Sequence, residues 1–121
     1  MRQRIIALII LFIVFITGCL RLNSSVPLMS YGEFKNITKN NIKQIEVIRF
    51  TEGGDEHKNI NKESFSTVYD NLSKKKIGKK TNMSCEDNTT IYIFTLESGE
   101  KISIEIECDW VVINNVRYTL E

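Results

Sequence analysis

Proline, alanine, histidine and tryptophan each occur once in the 121 residues, and cysteine three times. Each scarcity excludes something. The lone histidine, His57, has no second imidazole to share a metal or a catalytic dyad, and it follows Gly53-Gly54 among Asp55, Glu56 and Lys58, a setting that reads as solvated. Charge of one sign is not in surplus either. Sixteen basic side chains stand against 15 acidic ones, a formal net charge of +1, so no basic field for nucleic acid is present. No C-x-x-C pair marks a redox enzyme, no glycine-rich loop marks a phosphate site, and no G-x-S-x-G marks a nucleophile elbow. The expectation is a protein that is not an enzyme and carries no cofactor or metal. Long apolar runs are missing as well. Residues 5–16 (IIALIILFIVFI) contain no polar side chain, but a membrane-spanning helix needs about 20 residues.

That short run nevertheless organises the chain. Arg2 and Arg4 precede it, and Thr17, Gly18 and Cys19 follow, the layout of a secretory signal: charged, then apolar, then small. Ile16-Thr17-Gly18-Cys19 resembles the lipobox of bacterial lipoproteins, an aliphatic residue and two small or modest ones before an obligatory cysteine. The resemblance implies that the Cys19 thiol receives a diacylglyceryl group and that cleavage before it leaves a lipidated N-terminus. Each buried acyl methylene contributes about 0.8 kcal/mol, so two chains hold a protein stably where one does not. The competing readings are an uncleaved signal anchor and an ordinary cleaved signal peptide.

Removal of residues 1–18 leaves 103, enough for one domain. Without Arg2 and Arg4, the mature chain has 14 basic against 15 acidic residues. Ile, Asn and Lys dominate, the bias of an AT-rich genome, which suits a low-GC Gram-positive cell. There the domain would sit on the outer face of the cytoplasmic membrane. Small lipoprotein domains of unknown role in such bacteria are similar in order and length, and the likeness carries no chemistry.

Residues 19–30, with the only proline, Pro27, read as a tether, and residues 31–121 as the domain. Phe34 and Ile37 suggest a helical turn. Residues 43–51 (KQIEVIRFT) alternate apolar residues on both faces, an interior strand. Glu52-Gly53-Gly54-Asp55 reads as a turn and residues 57–60 as a short return strand. Phe65, Val68, Tyr69 and Leu72 make one helical stripe, predicting a helix over 62–75 with Asn61 as N-cap and Gly78 as stop. Four strands follow: 90–96, 101–108, 110–113 and 116–120. The second is the cleanest, with Ile102, Ile104, Ile106 and Cys108 inward and Ser103, Glu105 and Glu107 outward. Asn114-Asn115 suits a two-residue hairpin turn. The predicted fold is α+β: a small antiparallel sheet with one main helix packed on a face, in the order ββαββββ.

Four groups of side chains invite a functional reading. Cys85 and Cys108, outside the cytoplasm, suggest a disulfide; two separate thiols are the alternative. Lys74, Lys75, Lys76, Lys79 and Lys80 either complement the helix dipole or face an anionic lipid or wall polymer. Glu105 and Glu107 read as the wet face of a strand. Trp110, Tyr92, Tyr118 and Phe94 either belong to the core or line a binding face. The leading function is a small non-enzymatic interaction module at the membrane, its partner a wall polymer, a lipid surface or a membrane protein. A receptor for a small ligand or ion, using an aromatic-lined sheet face, is the second.

The lipobox resemblance makes a direct prediction. Intact mass spectrometry of the membrane-extracted protein should find a chain beginning at Cys19 with added acyl mass, and Cys19→Ala should abolish both cleavage and lipid. A wild-type chain still beginning at Met1 would refute the anchor. A two-dalton gain on reduction of the same sample would report a Cys85–Cys108 bond.

Overall fold

The computed structural model describes residues 25–83, 85 and 88–121. Eight strands make one antiparallel sheet: β1 (Val26–Pro27), β2 (Ile42–Thr51), β3 (Gly54–Asn59), β4 (Lys76–Thr81), β5 (Thr89–Leu96), β6 (Lys101–Glu107), β7 (Trp110–Ile113) and β8 (Val116–Leu120). Their spatial order is β1-β4-β8-β7-β6-β5-β2-β3. Among the described residues there is one α-helix, α1 (Phe65–Ser73), which continues a 3-10 turn at Lys62–Ser64. Two more 3-10 segments, Leu28–Ser30 and Gly32–Asn36, lie between β1 and β2. No described helix is long and apolar enough to cross a membrane.

This overturns the expected α+β order ββαββββ. The protein is strand-rich, and two of its strands, β1 and β4, are not among those predicted. β4 reads Lys-Ile-Gly-Lys-Lys-Thr and has one buried apolar residue, Ile77, too little for a period-two signal. Pairing with β8 recruits it instead: Lys76 and Glu121 exchange N–H to C=O bonds of 3.0 and 2.9 Å. Gly78 therefore sits in a strand and does not stop the helix. The helix itself ends at Ser73, and Asn61 makes no side-chain cap bond.

Nor is α1 the main cover of the sheet. Its stripe is in place, with Phe65 and Leu72 buried and Val68 and Tyr69 packed against the core. The irregular segment before β2 contributes more, through Leu28, Met29, Phe34 and Ile37, all buried. Leu28 lies within the stretch expected as a tether, 19–30. Residues 19–24 are outside the described residues, but Val26 pairs with Ile77, and the Leu28 N–H donates to the Lys75 carbonyl at 2.9 Å. The tether reading fails from Val26 onward because burial of Leu28 and Met29 builds that stretch into the core.

The covered face is one apolar layer. Ile45 and Val47 of β2 lie beside Phe94 and Tyr92 of β5, and these beside Ile102 and Ile104 of β6. Val111 of β7 and Tyr118 of β8 extend the layer. A cluster of this kind, at about 25 cal/mol per Å² of apolar area removed from water, is the dominant stabilising contribution of a small domain.

The turns follow local chemistry. Asn114 and Asn115 have φ of 51° and 64°, the left-handed pair a two-residue hairpin requires. Between β5 and β6 the Gly99 N–H donates to the Leu96 carbonyl and Gly99 has φ of 91°, so the glycine absorbs an extra residue in the turn. The resulting register pairs Thr89 with Glu107. Cys108 then falls beyond β6 in the turn, exposed, and not on the core side as its place in the alternation suggests.

Gly78 has a packing role that only the register reveals. A Cβ there would collide with the Thr119 hydroxyl, which accepts the Lys79 N–H at 3.0 Å. Gly78→Ala should destabilise the domain by about 1–3 kcal/mol, the usual range of overpacking. In urea melts, the double variant with Thr119→Ala should lose less than the two single losses added, because the second change removes the obstructing oxygen. Strict additivity would show that the two positions do not touch.

Candidate functional site

The face of the sheet opposite α1 carries the most unusual chemistry of the molecule. Residues directly across from one another in adjacent strands share a face. One such row is Ile48, Ile91, Glu105, Val112 and Arg117, from β2 to β8. The next row is Phe50, Thr89, Glu107, Trp110 and Thr119. α1 and the two 3-10 segments before β2 contribute to the other face, where the core cluster lies. The open face is therefore a mixed surface: isoleucines, a valine, a tryptophan and a 39 % exposed Phe50, with two glutamates and an arginine set among them.

The glutamates are more than a wet edge of a strand. Glu105 stands between Ile91 and Val112, and Glu107 is mostly covered, its side chain 14 % exposed. The Arg117 Nε–H donates to Glu107 Oε2 at 2.7 Å, a short charge-assisted bond that raises the guanidinium pKa further. Burial pushes the Glu105 carboxyl above its ordinary value. The like charge of Glu107 pushes the same way, and Arg117 opposes both. Arg117 thus serves Glu107 directly and leaves Glu105 as the acid of the face that a further cation would stabilise.

The other candidates are distributed as follows. His57 is exposed, and its Nδ1 lies 3.7 Å from Glu46 Oε1, an ion pair only when the imidazole is protonated. Among the described residues, no three His, Cys, Asp or Glu side chains are grouped to hold a metal. Cys85 and Cys108 come within disulfide reach, with Cα atoms 6.1 Å apart, inside the range a bridge spans. A bridge across their 23-residue separation would contribute about 3 kcal/mol through the unfolded chain. Cys19 lies outside the described residues.

The five lysines are spread over the end of α1 and strand β4. Lys74 caps α1, Lys75 follows it, and Lys76, Lys79 and Lys80 belong to β4. Lys76 alternates with buried Ile77, whereas Lys80 is in register with Tyr118 on the helix side, so the charges straddle the sheet. The four aromatic candidates do not share one face. Phe94 is fully buried, Tyr92 and Tyr118 pack against the core, and Trp110 lies on the opposite face beside Glu107.

Compared with protein-family models, curated proteins and solved structures, the chain matches none.

The position of Glu105 has a pH signature. A carboxyl whose pKa is raised by folding favours the folded state when protonated and opposes it when ionised. That contribution is complete below the unfolded-state value of about 4.3 and is lost as pH rises through the folded value. Glu105→Gln should therefore be more stable than wild type at neutral pH, and the difference should shrink as pH falls toward about 4. Denaturant melts at the two pH values test this. A difference that does not vary with pH would show that Glu105 is fully solvated.

Proposed function

We propose that this chain is a lipid-anchored, extracytoplasmic interaction module that binds a protein partner through the open face of its sheet. The role is non-enzymatic. The observation that carries the reading is the row Ile48, Ile91, Glu105, Val112, in which an under-compensated carboxyl is set into an apolar strip. Such a strip favours a partner that covers the isoleucines and brings a lysine or arginine to Glu105. Closing water out would strengthen that pair, and the apolar contacts would supply area. An apolar strip running across four strands offers contact area of the kind a macromolecular partner uses, whereas small ligands need concavity. The lipobox-like segment supports the location: a diacylglyceryl group on Cys19 would hold the module at the outer surface of the cytoplasmic membrane, within reach of other membrane proteins.

Photo-crosslinking in the native cell tests the reading. A benzophenone amino acid at Ile91 or at Val112 should capture the same partner. Glu105→Lys should remove both adducts, and the probe at Lys58, on the opposite side, should not give them. The reading is wrong if the open-face probes yield no adduct, or if charge reversal leaves the adducts intact.

A further inference from the structure

The helix-side face of the sheet is not covered as far as β3. Beyond Val68 of α1 a cleft of about 270 Å³ opens, floored by Val47, Ile60 and Tyr92. Its floor is continuous with the core: Val47 is buried, and Ile60, Val68 and Tyr92 pack against the buried cluster. Its rim is charged. Arg49 and Lys58 stand there with Glu56, which is directly across from Arg49 in the β2–β3 pair.

The charges at this rim are not spent on one another. Among the described residues the ion pairs join Lys39 to Asp70, His57 to Glu46 and Arg117 to Glu107, and none involves Arg49, Lys58 or Glu56. A guanidinium and an ammonium above an apolar floor have a specific complement: an anion whose charged group reaches the rim while its body covers the floor. Arginine suits a carboxylate or phosphate because its donors form a planar fork, and Tyr92 offers a ring against which an aromatic body can pack. Glu56 limits the charge, because it leaves the rim with a surplus of one positive unit. The volume limits the size, since sites for drug-sized ligands start at about 300 Å³.

We propose that this cleft is a binding site for a small anionic amphiphile, a carboxylate or phosphate monoester carrying one ring or a short aliphatic chain. The site is on the opposite face of the sheet from Glu105 and shares no residue with the open-face surface. It therefore stands or falls independently of the partner-binding reading.

Phenyl phosphate is a suitable probe, tested by equilibrium dialysis against the full chain in phosphatidylcholine nanodiscs. Saturable binding is expected, tighter than that of inorganic phosphate, which lacks the body, and of benzylamine, which has the wrong charge. Arg49→Gln and Lys58→Gln, both at exposed positions, should each weaken binding by about two- to fivefold, the range of an exposed ion pair. Glu56→Gln should strengthen it by a similar factor, a direction that loss of structure would not produce. Val68→Trp should fill the cleft and abolish binding. The proposal is overturned if benzylamine binds as well as phenyl phosphate, if no saturation is reached through the millimolar range, or if Glu56→Gln weakens binding. It is equally overturned if the two cation variants, folded by circular dichroism, bind like wild type.

Discussion

One apolar layer, on one side of the sheet, holds the domain together. Phe94, Ile102, Ile104 and Val111 are sealed from water by Leu72 of α1 and by Leu28 and Ile37 of the segment before β2. Everything else follows from how little helical chain is available to form that seal. Twelve residues of helix, Lys62 to Ser73, carry the chain from β3 at one sheet edge toward β4 near the other. A helix of this length, rising about 1.5 Å per residue, spans under 20 Å, whereas eight strands spaced about 4.8 Å apart are wider. The irregular segment covers part of the remainder. At the β2–β3 end the cover runs out, and the cleft above Val47 and Tyr92 is the result.

The same economy shapes the edges and the open face. A small domain cannot cover two sheet faces, so one is left to water or to a partner. Its edges are charged, which disfavours pairing with other chains: β3 is Gly-Asp-Glu-His-Lys-Asn, exposed throughout, and beyond the two residues that the short edge strand β1 covers, β4 carries Lys79 and Lys80. The open face is not protected in this way. Ile48, Ile91, Ile93 and Val112 occupy its middle, where solubility alone would favour threonine or lysine. That contrast between charged edges and an apolar centre is the physical ground for the proposal that a partner covers this face.

Local chemistry was legible in the sequence, and long-range pairing was not. The meander β5 to β8 could be read because alternation and turn residues are written within a few positions, as at Ile102 to Ile106 and Asn114-Asn115. The α1 stripe was legible for the same reason. β1 and β4 were not, because their membership in the sheet is set by partners about 50 residues away in one case and about 40 in the other. The burial of Leu28, Met29, Phe34 and Ile37 was hidden because 3-10 segments joined by bends have no sustained period. For the site, the outward direction of Glu105 and Glu107 was readable but their company was not. Placing Glu105 between Ile91 and Val112, and Arg117 against Glu107, requires the register of four strands, and the extra residue absorbed at Gly99 already moves that register by one.

The turn between β6 and β7 explains how those acids are kept in place. Cys108 has φ of 48°, a left-handed conformation that costs a residue with a Cβ about 1–2 kcal/mol. Two groups oppose its relaxation: the Asn88 carbonyl, which accepts the Cys108 N–H at 2.8 Å, and the Cys85 side chain at disulfide reach. The Leu120 N–H donates to the Asp109 carbonyl at 2.9 Å and ties the other half of the turn to β8. With the turn pinned on both sides, Glu107 and Trp110 remain opposite each other. Arg117, two residues before Thr119 in β8, then has one carboxylate within reach of its Nε, and it is Glu107. The asymmetry of the open face, with Arg117 bonded to Glu107 and not to Glu105, thus depends on a two-residue turn in which Cys108 holds a left-handed backbone.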